Sequence, residues 1–113
     1  MPERIRMEKV EPFINEAFSL SCILARNIVL VRYKNYQRLP FLRKRKLANP
    51  EEFREIVFKE FENGIRSLKL DVREELEVIA KNVVYEIRKG GRPKLQKMID
   101  SSYSQLLKEA KEK

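Results

Sequence analysis

The stretch FINEAFSLSCILARNIVLV, residues 13–31, decides the architecture of this chain, because it fits a membrane span, a buried strand or a core helix. It is long enough to cross a bilayer, yet Asn15, Glu16, Arg26 and Asn27 interrupt it. A charge near a bilayer centre costs about 2.5–3.5 kcal/mol, which favours a helix of a soluble protein. The run Ile28-Val29-Leu30-Val31 also suits a short buried strand, whose one candidate partner is the weak alternation at Ile5 and Met7. Helical spacing explains more residues. Phe13, Ile14, Ala17, Phe18, Leu20, Ile23, Leu24, Ile28 and Val31 recur at three- and four-residue steps, spread round much of the circumference. The reading is therefore a central helix over 11–37, starting near Glu11 or Pro12, where a first-turn proline gives up no hydrogen bond.

Three amphipathic helices are predicted after it. Asn49-Pro50-Glu51-Glu52 supplies a capping side chain, a first-turn proline and acids at the positive end of the dipole, so the second helix is set at 50–68. Its stripe is Phe53, Ile56, Val57, Phe61, Ile65 and Leu68. The third, 72–89, opens at Asp71 with Glu74 as a capping-box partner, carries Val72, Leu76, Ile79, Ala80, Val83 and Ile87, and ends at Gly90-Gly91. The fourth, 93–110, opens at Arg92-Pro93 and carries Leu95, Met98, Ile99, Ser102, Leu106 and Ala110. The fold class is all-α: a single-domain bundle of about four helices over 1–113, with 1–10 and 111–113 expected to be flexible. Short connections at 69–71 and 90–92 favour antiparallel neighbours. At 113 residues such a domain has enough core to fold without metal or disulfide support.

Composition narrows the function. The chain has no His and one Cys, which leaves no imidazole general base, no Cys/His nucleophile pair and no ordinary zinc site. No Gly-rich phosphate loop is present. The protein reads as a non-enzyme with no cofactor, no metal and no small-molecule substrate. Cys22 lies inside the apolar stretch and reads as a small buried hydrophobe. The N-terminus mixes Glu3, Arg4, Arg6, Glu8 and Lys9 and has no apolar signal core, so a cytoplasmic protein starting at Met1 is expected. Abundant Lys, Glu and Arg, without His, resemble thermophile usage.

The charge is segregated. Residues 1–48 hold 11 basic and 4 acidic residues, a net +7; residues 49–89 hold 8 and 10, a net −2; residues 90–113 hold 6 and 3, a net +3. No acid occurs between Glu16 and Glu51, where Arg26, Arg32, Lys34, Arg38, Arg43, Lys44, Arg45 and Lys46 all fall, interleaved with Tyr33, Tyr36 and Phe41. Of these, Arg32, Lys34, Arg38 and the run Arg43–Lys46 form one basic surface whose unopposed field attracts a polyanion, and the tyrosines Tyr33 and Tyr36 can stack on unpaired bases. A second basic candidate, Lys89-Gly90-Gly91-Arg92-Pro93-Lys94, partly resembles an AT-hook through its Gly-Arg-Pro core, but Gly90 replaces the arginine expected before the glycine. Helix punctuation accounts for the same residues, and Arg92 and Lys94 then add phosphate contacts from the loop. The acids Glu51, Glu52, Glu55 and Glu74, Glu75, Glu77 read as first-turn dipole partners rather than as metal ligands.

Taken together, these features make the chain a non-enzymatic nucleic-acid-binding protein, or a small basic subunit of a nucleoprotein complex, contacting phosphates with little sequence preference. The alternative is an interaction subunit of a larger replication, repair or RNA-guided defence assembly, with the acidic helix and the basic region joining different partners. A homo-oligomer is a third partner class, since a core stripe and an interface stripe look alike in one sequence.

Overall fold

A computed structural model describes residues 7–37, 47–69 and 71–111. These form four helices: α1 (Met7–Gln37), α2 (Pro50–Arg66), α3 (Arg73–Arg88) and α4 (Pro93–Lys111), with no strand among the described residues. The segment Ile28–Val31 is helical, because Ala25 and Val29, one turn apart, both turn into the core. The all-α four-helix bundle read from the sequence is the fold.

The α1 helix begins at Met7, four residues before the expected start, and incorporates part of the segment expected to be flexible. The reason is Val10, which is buried one turn before the fully buried Ile14. Pro12 consequently stands inside the helix instead of in its first turn. It faces solvent, and its missing N–H removes one hydrogen bond near the helix start.

Packing is organised around the inner face of α1. Val10, Ile14, Phe18, Cys22, Ala25 and Val29 recur at three- and four-residue steps and are all buried. Opposite them, α2 contributes Phe53, Val57, Phe58, Phe61 and Ile65. Phe18 sits edge-on to Phe61 with centroids 5.1 Å apart and lies 6.5 Å from Phe58. Asn49 caps α2 as expected, its Oδ1 accepting the Glu52 N–H at 2.8 Å. The cap expected for α3 does not form: its N-cap is Val72, with no side-chain cap hydrogen bond, so Asp71 and Glu74 make no capping box. Val72 packs against the core, and that contact sets where the helix starts.

The α2–α3 pair is an antiparallel hairpin: Arg54 and Glu55 near the start of α2 meet Ile87 and Arg88 at the end of α3. The next connection departs from the expected antiparallel packing. Gly91 donates to the Glu86 carbonyl at 2.8 Å and Gly90 to that of Ile87 at 3.0 Å, the paired bonds of a Schellman ending. Gly90 takes φ 92°, and a Cβ on Gly91 would stand 3.2 Å from the Glu86 oxygen. Arg92 follows at φ 55°. The chain leaves this turn away from α3, and α4 packs chiefly along α1. Three contacts fix the direction: Arg92 with Glu11, the Ser102 hydroxyl donating to the Cys22 carbonyl at 3.1 Å, and Glu109 with Arg26. Helices α1 and α4 therefore run parallel. Tyr103 closes the bundle by donating to the Ala48 carbonyl at 2.8 Å, just before α2.

The other helices do not enclose α1. Leu20, Leu24 and Val31 are 57, 51 and 57% exposed, so the helix read as central is buried along one side only. Its Lys9–Lys34 stretch is the one candidate among the described residues long and apolar enough to cross a membrane by length and composition, and its inner face is committed to the bundle core.

Phe18 contacts two aromatic rings and is completely buried. Phe18→Ala is expected to destabilise the fold by about 3–5 kcal/mol, measured as a lower urea midpoint at unchanged slope.

Candidate nucleic-acid interface

Parallel packing of α1 and α4 leaves a groove of about 670 Å³ between them. Its cations come from two directions: Arg26 from α1, Lys94 and Lys97 from the first turns of α4. Ser19, Ser101 and Gln105 add neutral donors, and no carboxylate lines it among the described residues. The α4 side follows from spacing. Lys94, Lys97, Ser101 and Gln105 recur at three- and four-residue steps, so they form one polar line beside the buried stripe Leu95, Ile99, Ser102 and Leu106.

Arg26 is held but not saturated. Its Nε lies 3.6 Å from Glu109 Oε1, and this buried atom has no hydrogen-bond partner among the described residues. A guanidinium carries five N–H donors in a planar fork suited to phosphate oxygens. Tyr33 follows seven residues later, two turns on along the same side of α1, and is half-buried. Arg32 and Lys34 flank it and are exposed.

The sequence candidates divide into three groups. Arg32, Tyr33, Lys34 and Lys94 are described and are solvent-facing or half-buried, with Lys94 in the groove. Tyr36 belongs to the last turn of α1, and its side chain lies outside the described residues, as do Arg38, Arg43, Lys44, Arg45 and Lys46. Arg92 has a structural assignment. Its Nε donates to Glu86 Oε2 at 2.7 Å and its Nη1 to both oxygens of Glu11 at 3.1 Å, which ties the end of α3 to the start of α1. Burial acts against its charge, but the Glu86 hydrogen bond and the Glu11 charge more than offset this, and its pKa sits above the usual arginine value. An AT-hook needs an extended arginine, whereas this one is folded back between two carboxylates. Sequence reasoning left Arg26 and Lys97 out of the site. The Lys94-Lys97-Ser101-Gln105 spacing was the available signal.

The acidic clusters behave as helix-terminal and ion-pair partners. Glu51 and Glu52 occupy the first turn of α2, Glu74 and Glu75 that of α3, Glu55 holds Arg88 through two bonds of 2.7 and 2.8 Å, and Glu77 meets Arg73 at 3.8 Å. No group of three or more metal-ligating side chains occurs among the described residues. A second cleft of about 420 Å³, between α2 and α3, mixes Glu51 and Glu55 with Arg54 and Arg88, whose charges sit 5.9 and 5.0 Å over the Phe58 ring.

Cys22 lies at the groove floor, and burial pushes its thiol up to about 12 against the opposing pull of the Arg26 charge. Comparison with protein-family models, curated proteins and solved structures returns no match.

Two outcomes follow from this geometry. Arg92→Ala is expected to lower stability by about 1 kcal/mol, since both ion pairs are partly solvated, as read by urea unfolding. For Cys22, the unfolded thiol ionises near 9.0 while the folded one stays protonated to about 12. The unfolded state therefore loses the proton first. Wild-type stability should fall relative to Cys22→Ala as pH rises across that window, and the two should run parallel below it, as read by urea unfolding at a series of pH values.

Proposed function

We propose that this protein binds nucleic acid without catalysis, as a soluble cytoplasmic protein or a basic subunit of a nucleoprotein complex, and grips the phosphate backbone with little sequence preference. The observation that carries this reading is the α1–α4 groove, where three cations and several neutral donors converge without a lining carboxylate. Phosphate oxygens are pure acceptors, and a groove whose charged lining is wholly cationic suits them, while its Ser and Gln side chains can donate to the same oxygens. Arg32, Tyr33 and Lys34 extend the basic surface beyond the groove on α1. Tyr33 adds a stacking face for an unpaired base, worth about 1–3 kcal/mol where stacking occurs. The basic run Arg43–Lys46 and Arg38 follow in the chain and supply further phosphate contacts in this reading.

Fluorescence anisotropy titrations with single-stranded and duplex DNA and RNA at two salt concentrations test the proposal. The log–log salt slope is expected to flatten by roughly 0.7–0.9 for each phosphate contact removed, so Lys94→Ala/Lys97→Ala should flatten it by about 1.4–1.8. Arg54→Ala, in the mixed-charge α2–α3 cleft, should leave it unchanged. Replacing Arg43, Lys44, Arg45 and Lys46 by Ala should weaken binding on its own. Absence of binding at low salt, or an unaltered slope in the lysine variants, contradicts the proposal and favours a protein-docking subunit presenting the exposed acids Glu51, Glu52, Glu74 and Glu75.

A further inference from the structure

Phosphate contacts account for the rims of the α1–α4 groove but not for its floor. Ile23 stands in the groove 41% exposed, and Met98 borders it from α4, half-buried, with Cys22 below them. The donors Lys94, Lys97 and Arg26 stand around these apolar side chains. An apolar floor between cationic rims suits a ligand that is anionic along one edge and apolar along another. An unpaired nucleic-acid strand has both, in its phosphates and in its base faces. A duplex stacks those faces away inside and offers the floor nothing.

We infer that the groove takes a single strand of DNA or RNA and rejects the duplex, an inference that rests on the phosphate grip proposed above. Two further features point the same way. The first is shape. The Ser102 hydroxyl reaches the Cys22 carbonyl at 3.1 Å, so α1 and α4 lie close together, and helices in contact run about 8–10 Å apart between axes. A duplex is too wide to enter such a recess. Helical duplex readers work the other way round, pushing a protruding helix into a DNA groove about 12 Å wide. Here the cations line a hollow between two helices, where a strand can lie but a duplex can touch only the rims.

The second feature is Tyr33. Glu109 of α4 is level with Arg26 of α1, and α4 ends two residues later at Lys111, whereas Tyr33 lies seven residues beyond Arg26. The tyrosine therefore stands on the Arg26 side of α1 just past the open end of the groove, about 10 Å along the helix from Arg26. Its half-buried ring is placed for a base of a strand leaving the groove. Only an unpaired base has a face free to stack there.

Fluorescence anisotropy with three probes at one salt concentration tests this selection: a short mixed-sequence single strand, the same strand annealed to its complement, and an abasic strand with the same number of phosphates. The single strand should bind on the order of 10-fold more tightly than the duplex, although the duplex carries twice the charge, and on the order of 10-fold more tightly than the abasic strand. Ile23→Ser, at an already exposed position, should lower affinity for the base-bearing strand severalfold and bring it closer to that for the abasic one. Tyr33→Leu is the second variant and should act the same way. A duplex bound as tightly as the single strand, or an abasic strand bound as tightly as the base-bearing one, overturns the inference while leaving the phosphate grip in place. Failure of all three probes to bind at low salt removes the grip and the inference together.

Discussion

The guanidinium of Arg92, held between Glu86 and Glu11, is the constraint on which the arrangement of this bundle depends. Each of these partly solvated ion pairs is worth only a few tenths to about 1 kcal/mol. Their value lies in direction. The Schellman bonds at Gly90 and Gly91 stop α3, the positive φ of Arg92 re-aims the chain, and its side chain fastens the turn to the first helix instead of the one just finished. From that anchor α4 runs along α1, its Ser102 reaching the Cys22 carbonyl and its Glu109 reaching Arg26. Had α4 folded back on α3, Lys94 and Lys97 would not share a groove with Arg26.

The α1 helix explains why residues 13–31 admit three readings. One side supplies the aromatic-centred core with α2, a second borders the cation-lined groove, and a third carries the exposed leucines. A helix that serves three environments is apolar nearly all round, and so it also meets the length and composition test for a membrane span. Buried residues alone do not account for that composition, since Leu20, Leu24 and Val31 contribute to it from the surface.

Much of the fold was legible in the sequence because local chemistry and tertiary packing agree there. Asn49-Pro50 caps α2, Gly90-Gly91 ends α3, and the stripes of α2, α3 and α4 line or border the core, to which Phe58 and Val84 are added outside them. The departures occur where packing overrode local signals: Val10 draws helix through Pro12, and Val72 displaces Asp71 from the cap of α3. The site was less legible. Arg92 looked like a free cation because nothing in a linear reading brings Glu11 to it, and Arg26 and Lys97 look ordinary until α1 and α4 are known to be parallel. The basic run Arg43–Lys46 drew attention through density, whereas the outermost groove cations, Arg26 and Lys97, are 71 residues apart in the chain.

In the proposed function a phosphate backbone occupies the α1–α4 groove. Backbone amide chemical-shift mapping during titration of a short oligonucleotide addresses it residue by residue. The largest shifts are expected on Ser19, Arg26, Lys94, Lys97 and Ser101, while the acidic first turns of α2 and α3 stay still. Shifts confined to α2 and α3, or none along the groove at saturating oligonucleotide, would contradict it.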